Sequence, residues 1–232
     1  MALPTPWQTA TVTDIRAETR TAKTFRLELA DPRRHLAGQH YVVRLTAPDG
    51  YRAQRSYSVA SAPDDRAIEL TVELLPGGEV SGFLHEIVEV GDELEVRGPI
   101  GGFFAWDGES PILGVAGGSG VVPLMSMLRH SRAQGHPDLV RLVVSVRTPA
   151  DLYYAGEITG PETTIVHTRQ APAGSHRPAG RLSADDLKPV LDADREIYVC
   201  GSPGFCDGAT TLLLDLGVDT HRIRVERFGP TR

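Results

Sequence analysis

The sequence lacks three features that would each have indicated a particular class of protein. Only two of its 232 residues are cysteines, which excludes a disulfide scaffold, a four-cysteine zinc site and an iron–sulfur cluster held by four thiolates. Its 24 basic residues are outnumbered by 30 acidic ones, so nothing favours binding to nucleic acid. No apolar run reaches the ~18 residues of a transmembrane helix, and no secretory signal opens the chain. We therefore expect a cytoplasmic protein without a membrane span.

Two further absences concern catalysis. The eight histidines show no metal-ligand spacing, so no metal site is predicted, and no G-x-S-x-G elbow of a hydrolase occurs. Of the basic residues only Lys23 and Lys188 are lysines, which is typical of a GC-rich genome. The abundance of arginine therefore indicates no function by itself, and only the position of an individual arginine in a motif does.

The length corresponds to about one and a half typical domains of ~150 residues, and the hydrophobic pattern changes once along the chain. Up to about Arg97 apolar residues alternate with polar ones, as they do in Phe25, Leu27 and Leu29. This period of two, broken by Pro- and Gly-containing turns, predicts about six short antiparallel strands in a small barrel. One helix interrupts them, with Ser81 as the expected N-cap and with Leu84, Ile87 and Val88 on its apolar face.

After Gly98-Pro99-Ile100-Gly101-Gly102, short apolar runs alternate with segments of helical length. This pattern predicts a parallel α/β sheet that binds ligands at the carboxyl ends of its strands. We place the domains at 1–108 and 109–232. The predicted strands are Ile112–Val115, Leu139–Ser145, Thr163–His167, Glu196–Cys200 and Arg222–Val225. The predicted helices are Val121–Gln134, Leu152–Ile158, Ala184–Leu191 after a Ser183 cap, and Gly204–Leu216.

A glycine-rich turn follows the first strand of the second half. Gly117-Gly118-Ser119-Gly120 lies between that strand and a helix that starts at Val121. Glycines let the backbone approach a pyrophosphate, and a helix N-terminus offers free N–H groups and a positive dipole end. The turn is consistent with a phosphate site and equally with a plain strand-to-helix connection.

The end of the next strand bears on the choice of nucleotide. An acidic residue there is typical of NAD binding, because it accepts a hydrogen bond from the ribose 2′-OH. This chain has Ser145 and Arg147 instead. An arginine suits the 2′-phosphate of NADP, and a solvated surface arginine is the alternative interpretation.

The barrel contains a second candidate anion site. Arg55-Ser56-Tyr57-Ser58 lies on a predicted strand, and Gly78-Glu79-Val80-Ser81 opens the barrel helix. A strand arginine can bind a pyrophosphate, a tyrosine ring can lie against a flat heterocycle, and the helix start offers free N–H groups. Cross-strand pairing or helix capping would explain each residue singly.

Five ordered motifs resemble those of the ferredoxin–NADP reductase superfamily over essentially the whole chain. They are Arg55-x-Tyr57-Ser58, Gly78-x-x-Ser81, Gly117-Gly118-Ser119-Gly120 with Pro123, Cys200-Gly201-Ser202-Pro203 and Glu226-Arg227-Phe228. The resemblance implies a six-stranded flavin-binding barrel (1–108) followed by a nicotinamide-nucleotide domain (109–232). It also implies transfer of a hydride from NAD(P)H to flavin N5. We favour FAD over FMN because Arg55–Ser61 resembles the FAD-using branch.

The resemblance also implies the site residues. The flavin and its phosphates would be held by Arg55, Ser56, Tyr57, Ser58, Val72, Glu73, Gly78, Val80 and Ser81. The nicotinamide nucleotide would be held by Gly117, Gly118, Ser119, Gly120, Cys200 and Gly201. Ser58, Cys200, Glu226 and Phe228 would surround the contact between the two rings. Cys200 would stay protonated rather than act as a nucleophile. Plant-type relatives end on a tyrosine that covers the flavin, where this chain has Phe228 followed by Gly229–Arg232.

Three arginines match positions that carry arginine in bacterial ferredoxin reductases, namely Arg147, Arg169 and Arg181, and they imply a preference for NADPH over NADH. The function expected is that of a stand-alone, monomeric NADPH oxidoreductase that passes electrons from FAD to a separate ferredoxin, flavodoxin or oxygenase. Two alternatives stay open. One is direct reduction of free flavin, ferric chelates or quinones, and the other is a non-catalytic flavin-binding electron-entry subunit of a larger complex.

Overall fold

The computed structural model describes residues 5–229, which form two sheets and the helices packed against them. Residues 1–4, where the chain was expected to lack a secretory signal, and Pro230–Arg232 lie outside the described part. The first half contains β1 (Gln8–Thr19), β2 (Ala22–Leu29), β3 (His40–Thr46), β4 (Arg52–Ser58), β5 (Ile68–Glu73), α1 (Glu79–Glu86) and β6 (Glu93–Ile100).

These strands form one antiparallel sheet in the order β4-β3-β6-β1-β2-β5. A bridge between Val59 and Leu70 joins its two edges, so the sheet curls into a barrel. Phe25, Leu27 and Leu29 share the buried face, as their spacing predicts. The six-stranded antiparallel barrel is confirmed.

Strand β5 differs from the simple alternating pattern. Glu69 and Thr71, on the face opposite Leu70 and Val72, are buried as well. Their face is covered by Arg129 and Tyr154 from the second half of the chain. Polar residues at a period of two therefore mark a covered interface here rather than a solvated face.

The barrel helix α1 begins earlier than predicted. Gly78 is its N-cap, so Ser81 lies inside the helix, and the prediction of Ser81 as N-cap is wrong. The Ser81 hydroxyl instead accepts from Leu75 N (3.2 Å) and donates to Gly78 O (3.4 Å). Leu84 and Val88 are buried as predicted, whereas Ile87 is 59% exposed.

The second half forms a parallel sheet in the order β11-β10-β7-β8-β9, which confirms the predicted α/β architecture. Its elements are β7 (Ile112–Gly117), a 3₁₀ turn (Gly118–Gly120), α2 (Val121–Ala133), β8 (Val140–Val146), β9 (Thr163–His167), α3 (Ala184–Leu187), β10 (Glu196–Gly201), α4 (Pro203–Asp215) and β11 (Ile223–Arg227). Helix α3 begins with the capping box of Ser183 and Asp186, as the Ser183 cap predicts.

One predicted helix is wrong. Residues 152–158 form turns after a short 3₁₀ segment, Pro149–Asp151. Within them Tyr154 has φ of +54°, which a right-handed helix does not allow. This conformation accompanies the insertion of the Tyr154 ring towards Thr71 of the barrel.

The predicted division at residue 108 falls between β6, which ends at Ile100, and β7, which begins at Ile112. Trp106 lies in this segment, and its N–H groups reach Ala37 O and Ser110 O. One apolar core cluster contains Ala22, Ala37 and Ala60 of the barrel side together with side chains of α2 and β7. The exact boundary stays a prediction.

Candidate functional site

The last residues of β4 form the barrel side of the candidate site. Arg55 is exposed, and its guanidinium donates to the neighbouring Gln54 O (2.7 Å) without an ion pair to any residue within 5–229. Ser56 is exposed, whereas Ser58 is buried at the end of the strand. Tyr57 is half-buried against the barrel core, and this burial raises its pKa to about 12. A free cation and a neutral phenol ring therefore lie side by side on one strand.

The start of α1 can hold an anion through its backbone. The N-cap residue Gly78 has no side chain to cap the helix, so the N–H groups of Glu79, Val80 and Ser81 keep no helical acceptor. A Cβ at Gly78 would collide with Ser81 Oγ, so a glycine is required there for packing. Ser81 serves the local turn through its hydroxyl and leaves its N–H group free for a ligand.

Two predicted flavin contacts lie at the end of β5. Val72 points into the barrel core and is 1% exposed, and its carbonyl accepts from His85 Nε2 (2.9 Å). Glu73 follows it and is exposed. A ligand beside these residues could meet the Glu73 side chain but only the backbone at Val72.

The glycine turn packs against the neighbouring strand of the parallel sheet. A Cβ at Gly120 would collide with the carbonyl oxygen of Cys200, so β10 and the start of α2 can approach this closely only with glycine. Gly118 has φ of +55°, which also favours glycine. Neither Gly117 nor Gly120 provides a side-chain cap, although the Val121 N–H group is bonded within the turn to Gly118 O and Ser119 O. The remaining N–H groups of the turn could bind an anion.

Cys200, Glu226 and Phe228 meet at the carboxyl edge of the sheet. Cys200 and Glu226 are direct neighbours in the β10–β11 register, and Phe228 N donates to Gly201 O (2.8 Å). Burial raises the pKa of Glu226 to about 7. Burial, with the charge of Glu226, also raises the pKa of the Cys200 thiol well above its ordinary value. The thiol is therefore neutral at physiological pH.

The Glu226 carboxyl has an unusual environment. Its Oε2 atom is buried and has no hydrogen-bond partner among residues 5–229. A buried polar oxygen without a partner is costly, and such atoms are rare in folded proteins. A ligand that donates a hydrogen bond at this edge would satisfy it.

Ser58 belongs to the other sheet and makes no hydrogen bond to Cys200 or Glu226 within the described residues. Ala60, two residues after Ser58, belongs to the large apolar cluster that also contains Cys200 and against which Phe228 packs. The structure thus joins Cys200, Glu226 and Phe228 directly, whereas Ser58 itself is not shown in contact with them.

The three predicted arginines lie at the carboxyl ends of β8 and β9. The Arg147 carbonyl accepts from Arg169 N (2.9 Å), and Gly180 N, next to Arg181, donates to His167 O (3.0 Å). All three side chains are exposed, and none forms an ion pair or hydrogen bond with the part of the chain the structure describes. Their unpaired charges suit a phosphate ester at this edge.

The sequence did not reveal two residues that shape this edge. Arg177 binds Asp186 and also donates to the carbonyls of Gly180 and Arg181, so it holds the loop that carries Arg181. The Phe205 ring covers Gly117 and Gly201, because a Cβ at either glycine would lie within 2.8 Å of it. The spacing of Ser183 and Asp186 is that of a helix capping box and could have singled out Asp186, whereas no sequence motif predicts the position of Phe205.

Within residues 5–229 no helix is long and apolar enough to cross a membrane. The same residues contain no group of three or more His, Cys, Asp or Glu side chains that could hold a metal ion.

Comparison with known proteins assigns both halves of the chain. Residues 9–105 match the family model of the oxidoreductase FAD-binding domain, and residues 115–211 match that of the oxidoreductase NAD-binding domain. The chain is 28% identical over 229 residues to the ferredoxin–NAD(P)(+) reductase component of the naphthalene 1,2-dioxygenase system of Pseudomonas putida, covering 95% of this chain and 68% of that protein. It is 34% identical over 210 residues to the glycine betaine monooxygenase reductase subunit of Pseudomonas aeruginosa, covering 84% of this chain and 56% of that protein.

Among solved structures, the FAD/NAD-binding domain of nitric oxide dioxygenase from Vibrio cholerae superposes with a TM-score of 0.83 at 26% identity. The match covers 96% of this chain and 99% of that domain. The same arrangement of two sheets therefore occurs in a domain that is described as binding FAD and NAD.

Proposed function

The chain belongs to the ferredoxin–NADP reductase superfamily and is an FAD-dependent NAD(P)H oxidoreductase, and from this premise we propose that it oxidises NADPH and delivers the electrons to a separate protein acceptor. The observation that carries the proposal is the pair of helix starts without side-chain caps, one in each half of the chain. Helix α4, in contrast, is capped by its own Ser202. The two uncapped starts suit the pyrophosphates of two dinucleotides.

The residues at the end of β4 and the start of α1 fit FAD. Arg55 and the α1 N–H groups would bind its pyrophosphate, Tyr57 would lie against the flat ring, and Ser58 would bind the edge of the ring. When bound, FAD would supply an acceptor for the hydride, two electrons and one proton, that NADPH gives up in becoming NADP⁺. It would also allow those electrons to leave one at a time, with the proton going to solvent.

Cys200 and Glu226 provide the polar groups beside the ring contact. The neutral Cys200 thiol is a small, uncharged and polarizable group against which the two rings can pack. A carboxyl with a pKa of about 7 can hold or release a proton near neutral pH. Phe228 packs against the same cluster and would shield the ring from water.

The preference for NADPH rests on Arg147, Arg169 and Arg181. Their three guanidinium groups, which form no ion pair with residues 5–229, would bind the 2′-phosphate, which NADH lacks. No carboxylate takes the corresponding place at the end of β8, where Ser145 precedes Val146 and Arg147.

The acceptor that we propose is an oxygenase component or a ferredoxin, because the two relatives reported above are reductases of such systems. We further propose a cytoplasmic location, which two free buried cysteines and the supply of reduced nicotinamide nucleotides favour. The division into an FAD-binding unit at 1–108 and an NAD(P)-binding unit at 109–232 is part of the same proposal.

Anaerobic titration tests the proposal. The purified protein is expected to release FAD on denaturation, and its visible flavin band is expected to bleach on addition of one equivalent of NADPH. A ferredoxin should then accelerate steady-state NADPH oxidation. A flavin that NADPH does not bleach would contradict the enzymatic function. Rapid oxidation with free flavin, ferric chelates or quinones, but none with a ferredoxin or an oxygenase component, would contradict the protein acceptor.

A further inference from the structure

One arginine of helix α2 connects the two halves of the molecule. The Nη1 atom of Arg129 donates to Glu69 Oε2 (2.8 Å) and to Ala60 O (3.0 Å), both in the barrel half. Its Nε and Nη2 atoms donate to Glu157, in the same half as α2 (2.9 and 2.5 Å). The guanidinium group thus makes bonds in both halves at once.

The barrel side of this connection is built to receive a cation. Glu69 on β5 is 8% exposed and also accepts from Arg26 Nη1 (3.2 Å). Arg26 binds Oε1, and Arg16 Nη2 lies 3.5 Å from Oε2, the oxygen that Arg129 also binds. A carboxylate shared by three arginines is held in one place, because moving it would take the barrel partner away from the largely buried Arg129 guanidinium.

The two ends of the connection lie on, or just after, the elements that carry the two proposed cofactor sites. Arg129 lies on the helix whose first residues follow the glycine turn, and Ala60 lies two residues after Ser58 at the end of β4. A shift of Arg129 would therefore move the nucleotide-binding helix relative to the flavin-binding strand.

From this geometry we propose that Arg129 is a positioning residue, which fixes the distance between the nicotinamide and flavin sites through its simultaneous bonds to Glu69 and Ala60. This inference rests on the proposed function. Hydride transfer depends steeply on the separation of the reacting atoms, so a small change of spacing between the halves changes its rate.

A second connection runs parallel to the first. The Tyr154 hydroxyl bonds to Thr71, which in turn bonds to Thr24 (2.7 Å), and Tyr154 N donates to Glu18 Oε2 (2.9 Å). The Arg129 guanidinium also lies over the Tyr154 ring, 5.1 Å from its centroid. Because Tyr154 would hold the halves together in an Arg129 variant, that variant should loosen the spacing without separating the domains.

Helix α2 offers a matched control. Arg132, three residues further along, is also partly buried and binds Glu162, but both residues lie in the second half of the chain. Replacing Arg132 removes an ion pair to Glu162 and a hydrogen bond to Glu157 O from the same helix without touching the barrel. Stability effects should therefore be shared by the two variants, whereas a positioning effect should be specific to Arg129.

The experiment compares Arg129→Met with Arg132→Met in the FAD-loaded protein by rapid mixing with excess NADPH. We expect Arg129→Met to reduce its flavin at least roughly tenfold more slowly and to lose the long-wavelength charge-transfer absorbance that reports stacked rings. The FAD content and the Kd of 2′,5′-ADP, which lacks the nicotinamide, should change by less than about twofold. Arg132→Met should keep the wild-type rate and the absorbance. Hydrogen exchange at residues 60–71 should quicken in Arg129→Met alone.

Glu69→Gln is the second variant if Arg129→Met folds poorly, since it keeps the shape of the barrel partner and removes its charge. The same loss of rate and absorbance is expected from it, with a smaller amplitude. If NADPH reduces the wild type but Arg129→Met and Glu69→Gln behave like Arg132→Met, the positioning role is wrong and the proposed function stands. If NADPH does not reduce the wild type, the proposed function itself fails.

Discussion

Glu226 shows how strongly a single residue depends on its surroundings. Its carboxyl lies on an edge strand, yet burial raises its pKa to about 7, and Oε2 has no hydrogen-bond partner in the described part of the chain. In the unfolded chain the same group would ionise near its ordinary pKa of 4.5. Folding therefore favours the protonated carboxyl, and the stability of the protein must depend on pH through this residue.

Replacing Glu226 by Gln should remove that dependence. Between pH 5 and pH 8 the wild-type unfolded state loses this proton before the folded state does, so wild-type stability falls as the pH rises. The free energy of unfolding of Glu226→Gln should gain on the order of 2 kcal/mol relative to wild type over this range, after allowance for partial solvent screening. Chemical denaturation at the two pH values measures the gain. A difference that stays constant with pH would contradict the buried, protonated carboxyl.

Arg147 permits a test of nucleotide choice with a control on the same strand. Arg147→Gln should lower kcat/KM for NADPH roughly tenfold, because a charge-assisted bond to the 2′-phosphate is lost, and should leave NADH within about twofold. Arg141 is the second residue of β8, so it lies at the amino end of the strand, away from the carboxyl edge. Arg141→Gln should change neither value. Equal losses for NADPH and NADH in Arg147→Gln would rule out recognition of the 2′-phosphate by this residue.

At the scale of elements, the sequence predicted most strands because one or both of their faces are buried and their side chains alternate. Thr163–His167 is found as predicted, and α2 ends only one residue before the predicted end. The predictions failed where a distant partner decides the local structure. Residues 152–158 carry a helical pattern, but Tyr154 turns towards Thr71, and Ser81 resembles a cap, but Gly78 starts the helix.

The glycine turn before α2 gives the clearest prediction at this scale. Gly120→Ala would place a Cβ against the Cys200 carbonyl, where the backbone of neither β10 nor α2 can easily retreat. We expect a loss of about 2 kcal/mol or more and a weaker affinity for NADP⁺.

Gly208 in the middle of α4 is the matched control for this substitution. It is exposed, and a Cβ there would meet nothing within 4 Å. Gly208→Ala should raise stability by roughly 0.5–1 kcal/mol, since alanine favours a helix, and should raise Tm by about 1–4 °C. Calorimetric melting of both variants measures the contrast. A Gly120→Ala variant as stable as wild type would show that the turn is not closely packed.

At the scale of the whole molecule, the sequence predicted two architectures but not the surface between them. Glu69 and Thr71 have the alternating spacing of a solvated strand face, and only the structure shows them covered by Arg129 and Tyr154. These partners are separated by 60 and 83 residues along the chain. No local pattern carries such pairings, whereas the turn glycines that hold the candidate site are visible as short motifs.

The shared core predicts how the molecule unfolds. Ala22, Ala37 and Ala60 of the barrel side lie in one apolar cluster with α2, and Arg129 and Tyr154 add polar bonds across the same surface. Neither half can therefore open without exposing core of the other, and unfolding should be a single cooperative transition.

On heating, the fluorescence of released FAD and the loss of far-UV circular dichroism should have midpoints within about 2 °C of each other. In Arg129→Met the two midpoints should move apart, with FAD released first, because the barrel loses its charged bond from Arg129 to Glu69. In Arg132→Met they should fall together, and separate midpoints in the wild type would show that the halves unfold independently.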